Sequence, residues 1–271
     1  MLADAALRRS GAMSESLQPG LAAYLQYIGG FLLRYGLLAG GATVLLHVVL
    51  RRAAMPYRIQ MAFPSAADLR REIGWSFSNS LCTGLSTMLT LWLIASGRTS
   101  MYLDVAEYGW AWLAASALLG VLGYDTWFYW QHRLLHTRWM YERFHAVHHR
   151  STNPTPLAGF AHHPVETFLG NAFFVLLVVA VPMHPLALGA VGLVYFGLGI
   201  VSHLGYELYP AGFARHPVLQ WINTATHHNM HHTHAACNYG LLLQWWDRLL
   251  ATNHPSYLQT YDLVTARRTA P

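Results

Sequence analysis

Residues 226–234 read THHNMHHTH, with five histidines in the eight positions from His227 to His234. Neutral imidazole is a good metal ligand, and it titrates near neutral pH, so such a run suits metal binding or proton sensing. Spacing separates the two. His228, His231 and His232 stand at i, i+3 and i+4. His145, His148 and His149 in HAVHH repeat that pattern, His132 and His136 in HRLLH stand at i and i+4, and His203 lies in SHLGYE. Helical residues three and four apart share a face, so each cluster aims two or three imidazoles at a common point. A pH switch has no need of this repeated geometry. The clusters supply nine candidate ligands. One tetrahedral site takes four at most, so nine points to two metals. Nitrogen donors alone do not choose among iron, zinc, copper and nickel.

Something must hold these clusters together, and the composition indicates what. The chain of 271 residues is 54% hydrophobic and only 11% charged. Apolar blocks at 29–50, 76–97 and 109–130 each reach the roughly 20 residues that cross a bilayer. The first begins too late for a cleaved signal peptide. A further block, Phe168–Val201, is interrupted at VPMHP and reads as a helical hairpin that crosses fully or dips in. The expected fold is an all-α integral membrane protein with about 4–5 apolar helices, some re-entrant. A helical cap of residues 131–165 and 202–271 carries the histidines. Residues 1–20 read as a loose tail and 21–271 as a single domain, its catalytic part at about 109–252.

The basic residues, all arginine, give a net charge of +5. Their concentration in 51–74 and just after 130 puts both segments, and the histidines, in the cytoplasm by the positive-inside rule. Arg8 and Arg9 fall on the other side. Two cysteines, Cys82 and Cys237, are too few for a disulfide framework and read as plain buried thiols.

The stretches FYWQHRLLH, HAVHHRSTNPTPLAGFAHHPVE, SHLGYE, INTATHHNMHH and NYGLLLQWWDRLLAT run in order from about residue 124 to 252. In them the chain resembles the fatty acid hydroxylase superfamily of membrane di-iron enzymes, and within it the sterol desaturase branch, especially sterol C-5 desaturase. The resemblance implies two irons held over a lipid-accessible pocket and oxygen-dependent attack on an unactivated C–H bond, giving an alcohol or an alkene. Its metal ligands would be His132, His136, His145, His148, His149, His203, His228, His231 and His232. His163 and His227 also fall inside these motifs. Glu207, four residues after His203, reaches the same metal only if Gly205 leaves the segment helical; otherwise it supports or lies at the surface. Asp125, Glu166, Asn238 and Asp247 are expected to orient the ligating imidazoles, although Asp247 equally suits pairing with Arg248. Trp127, Phe128, Tyr129 and Trp130 read as an interfacial belt or core rather than a substrate cage.

The expected function is a membrane di-iron oxygenase that hydroxylates or desaturates a lipid of sterol type. Fatty acyl, alkylglycerol and carotenoid hydroxylases are the alternatives. Its cofactors would be two iron ions, with zinc accepted on purification, and dioxygen as co-substrate. The chain has no Gly-rich dinucleotide motif, iron–sulfur cysteine set or fused haem domain, so electrons would come from a separate cytochrome b5-, ferredoxin- or reductase-type donor. The location would be a bacterial inner membrane, or the endoplasmic reticulum in a eukaryote. A zinc hydrolase would need His-Glu-x-x-His, which is absent. A haem protein would place single histidines deep in facing spans, and a metal transporter would line its spans with polar groups. Neither pattern matches clusters at span ends.

Overall fold

The computed structural model describes residues 20–268; the tail expected over 1–20 lies almost wholly outside them. Among the described residues the fold is helical, with two isolated β-bridges and no strand. The long helices are α1 (Leu21–Val49), α2 (Ala66–Ala95), α3 (Gly109–Leu135), α5 (Pro164–Ala180) and α6 (Pro185–Ser202). Between them a short segment, α4, covers 138–149. The cap adds α7 (Ala225–His234), α8 (Trp245–Leu249) and α9 (Tyr257–Ala266).

The helices outrun the apolar blocks. α1 starts at Leu21 rather than at 29, and its course contains two π-helical stretches, Tyr35–Gly40 and Leu45–Val49. α2 starts ten residues before 76, where Ser65 and Asp68 close a reciprocal capping box. α3 runs past 130 to Leu135, which lifts His132 onto a regular helix. The hairpin turns between Ala180 and Pro185, proline opening α6 as its fixed φ and missing N–H favour. Among the described residues, α1 and α6 are long and apolar enough to cross a membrane. Their outer faces are apolar, with Leu37, Val48, Leu186 and Leu193 exposed, a surface that suits lipid better than water.

α2 packs on α1 and α5, and α3 on α5 and α6. This brings the C-terminal ends of α3 and α6 and the N-terminal end of α5 to one end of the bundle, under the cap. The arginines of 51–74 make specific contacts there. Arg58 is buried, stacked over Phe63 at 3.7 Å and bonded to Tyr206 Oη at 2.9 Å. Arg71 pairs with Asp68 and donates to the Arg150 carbonyl.

Candidate metal centre

α7 is half histidine, a composition with poor helix propensity, so its form depends on its ends and neighbours. Thr224 Oγ1 accepts the His227 N–H at 3.1 Å, and the buried Glu207 carboxylate accepts the Thr226 N–H at 2.9 Å. These satisfy donors that an open helix start leaves bare.

The nine imidazoles converge into two groups. His132, His136, His145, His149 and His231 form one; His148, His203, His228 and His232 form the other, with one ligand atom from each residue within 4.8 Å of the rest of its group. The clusters do not each aim at a single point, as their spacing had suggested. Residues at i and i+4 differ by about 40° around the axis, whereas i+3 lies about 100° from i+4. His145 and His149 therefore serve the first group while His148 turns to the second, and α7 does the reverse, giving His228 and His232 to the second and His231 to the first. The groups interlock, with the His149 and His232 rings 4.9 Å apart and the His145 and His148 rings 5.4 Å apart across the boundary between them.

Inside each group Nε2 atoms face one another. The separations are 3.2 Å for His132–His145, 3.1 Å for His136–His149, 3.0 Å for His203–His228 and 3.1 Å for His203–His232. Nδ1 of His132, His203 and His231 lies 2.8, 2.8 and 2.6 Å from the carbonyls of Tyr239, Gly199 and Cys237. A carbonyl can only accept, so these Nδ1 atoms carry the hydrogen and their Nε2 atoms present bare lone pairs. Burial, reinforced by neighbouring imidazoles, holds His145, His148, His228, His231 and His232 well below the ordinary histidine pKa. Neutral rings whose lone pairs converge repel one another unless a cation sits among them. The donor set fits two metal ions of imidazole preference.

The carboxylates divide. Glu166 is the one that reaches an imidazole of the groups: its Oε2 lies 3.0 Å from His145 Nδ1, at pairing distance although out of hydrogen-bond alignment. Asp125, Asn238 and Asp247 do not hydrogen-bond the nine rings, unlike the direct orienting role expected for them, and Glu207 does not reach the rings either. Backbone N–H groups of the cap take them instead. Asp125 accepts from Leu242 and Leu243, and Asp247 accepts from Tyr239 and Gly240. Asn238 bridges the His227 carbonyl and the His254 N–H. Asp247 thus braces the loop whose Tyr239 carbonyl receives His132. Arg248 turns away to Gln220. Glu207 cannot follow His203 around a helix because Gly205 adopts φ +73° and breaks it.

His227 bonds Asn253 at 2.8 Å, and His163 caps α5; both lie outside the groups. His234 is exposed and stacks on His254 at 4.3 Å. Cys82 and Cys237 are free thiols, but the backbone of Cys237 holds His231. The sequence reading passed over His162, whose ring centroid lies 4.9 Å from that of His148 and whose Nε2 is 3.8 Å from Glu166. The signal was its place four residues before Glu166. A cavity of about 520 Å³ runs from His132, His148, His162, His203 and His228 down between the long helices. Phe128 lines it and also packs against the core cluster of Val191, Tyr195 and Leu241, in keeping with the core role expected.

A membrane-type helical bundle capped by two interlocked imidazole groups above an internal cavity defines the class. The fatty acid hydroxylase family model matches residues 117–252, and the chain belongs to that family. It is 31% identical to a Delta(7)-sterol 5(6)-desaturase of Gibberella zeae over 66% of this chain and 54% of that protein. It is 30% identical to the lathosterol oxidase of Mus musculus over 70% of this chain and 62% of that protein, and 34% identical to methylsterol monooxygenase 1 of Rattus norvegicus over 48% and 43%. The chain thus spans little more than half the length of the curated relatives it matches. No solved structure matches it.

Proposed function

We propose that the protein is a membrane-bound di-iron oxygenase that hydroxylates or desaturates a sterol-type lipid. The convergence of nine imidazoles, eight of them at Nε2 separations of 3.0–3.4 Å, supports this reading most directly. His132, His136, His145, His149 and His231 would hold one ion, and His148, His203, His228 and His232 the other. When bound, the iron pair supplies the activation of dioxygen for attack on a C–H bond. The chain's own residues do the rest. The carbonyls of Tyr239, Gly199 and Cys237 fix ring tautomers, Glu166 steadies His145, and the cavity excludes water and lays the lipid against the imidazoles. The names of the relatives support a sterol-type substrate. Two electrons per turnover come from a separate donor on the cytoplasmic side, where the positive-inside rule places the cap.

Lipids extracted from cells with and without the gene test the activity. A product heavier by one oxygen, or lighter by two hydrogens, is expected. Identical lipid profiles in the presence of oxygen and a competent reductase would sink the reading.

A further inference from the structure

The cavity is mainly apolar, but next to the imidazoles one wall is built of amides. Asn79 of α2, Gln131 of α3 and Asn171 of α5 all line it. Asn171 Nδ2 donates to Thr83 Oγ1 at 3.2 Å, and Thr83 Oγ1 donates to Asn79 Oδ1 at 3.3 Å. Thr167 Oγ1 donates to the same oxygen at 2.8 Å. A hydroxyl that accepts from an amide is left to donate onward, so the chain has a direction. It turns the Asn79 oxygen toward the helices and leaves Nδ2 for the cavity. Asn79 is only 5% exposed, yet its Nδ2 has no hydrogen-bond partner among the described residues. An unpaired amide N–H on a residue that lines a largely apolar cavity offers a donor to whatever ligand atom fills that cavity. Gln131 repeats the arrangement: its Oε1 accepts the Trp127 indole N–H at 3.1 Å, and its Nε2 is unpartnered. Asn171 Oδ1 is an unpartnered acceptor.

We propose that Asn79, Gln131 and Asn171 form a recognition subsite for an uncharged hydroxyl group on the lipid. The inference rests on the lipid-oxygenase reading above and names the substituent its substrate carries. A hydroxyl is the group that matches both polarities, accepting from Asn79 Nδ2 and Gln131 Nε2 and donating to Asn171 Oδ1. A carboxylate has no hydrogen for Asn171 and finds no cation on this wall. Arg34, the one arginine of the lining, neighbours Tyr27 and through it Thr87, about two helical turns beyond Asn79. The subsite is close to the imidazoles: Thr167 follows Glu166, which contacts His145, and Gln131 precedes His132.

The test uses the full chain in lipid nanodiscs with three probes, cholestanol, cholestanone and cholestane, which differ only in the oxygen. Cholestanol should bind about tenfold more tightly than cholestane, with the ketone between them because it can use the donors but not Asn171. Asn79→Leu should bring cholestanol down to the level of cholestane while cholestane binding persists, which doubles as the folding control. If Asn79→Leu loses cholestane as well, Gln131→Leu decides by the same ratio. Equal binding of cholestanol and cholestane by the unmodified protein, or an unchanged ratio in both variants, overturns the subsite and leaves the lipid reading standing. Failure of all three probes to bind overturns the sterol-type reading and the subsite with it.

Discussion

Glu166 Oε2 and His145 Nδ1 lie 3.0 Å apart, both buried, at the point where α5 begins under α4. Carboxylates behind ligating histidines fix ring orientation and raise donor strength, and losing one typically costs 10–100-fold in metal affinity or activity. Glu166→Ala should lower iron retention by about that factor, read by dialysis against graded chelator, with Glu166→Gln less affected. Retention equal to the parent protein would show that the contact orients nothing.

The split of α7 between the groups gives distinct expectations for adjacent residues. His228→Ala and His232→Ala open the four-histidine group and should reduce iron, measured by elemental analysis after anaerobic purification, from about two equivalents toward one. His231→Ala acts on the other group. His234→Ala, exposed and stacked on His254, should leave metal content and activity unchanged. Equal damage from His234→Ala and His231→Ala would contradict the placement of these rings.

Glu207 closes the start of α7, and its removal should loosen that helix before the rest of the cap. A Gln there keeps one acceptor but turns an amide N–H toward a backbone N–H. Glu207→Gln should cost about 1–2 kcal/mol and speed amide exchange over 225–234. Burial pushes the Glu207 carboxyl above its ordinary range. The folded state then holds this proton more tightly than the unfolded chain. Its favourable share of stability is full below the unfolded pKa and is lost as pH rises through the raised value. Stability of the Gln variant should vary less with pH across that interval.

Gly159 meets α6 at Gly199, where a Cβ on Gly159 would overlap the Gly199 carbonyl. That same carbonyl receives His203 Nδ1. Gly159→Ala should therefore displace His203 and lower occupancy of the four-histidine group, while Gly189→Ala on α6, with open space around it, should not. Matched iron contents for the two variants would rule the coupling out.

The nine clustered histidines were legible because ligand chemistry dictates residue type and helical periodicity dictates spacing. Their partition was not, since it depends on how α4 and α7 face each other across the cap, a tertiary relationship that spacing within one helix does not encode. Helix starts were misjudged where polar residues extend an apolar block: Asp68, Arg70, Arg71 and Glu72 belong to α2, and the capping box at Ser65 was the available signal. Asp125 and Asp247 looked like partners for imidazole because carboxylates often are, but buried loop N–H groups compete for the same oxygens and won. The amide wall was hidden because its members come from three helices and share no motif.

The two imidazole groups also differ in their access to water. Eight of the nine rings are buried, and the exception, His136, opens on a surface cavity of about 200 Å³ beside Arg138, Tyr141 and Tyr239. The five-histidine group thus opens to the surface at His136, whereas His148, His203 and His228 of the four-histidine group face the cavity between the long helices. The two seats would therefore be reached from different sides, the first by a water-soluble chelator at His136 and the second by a small apolar chelator that enters the cavity.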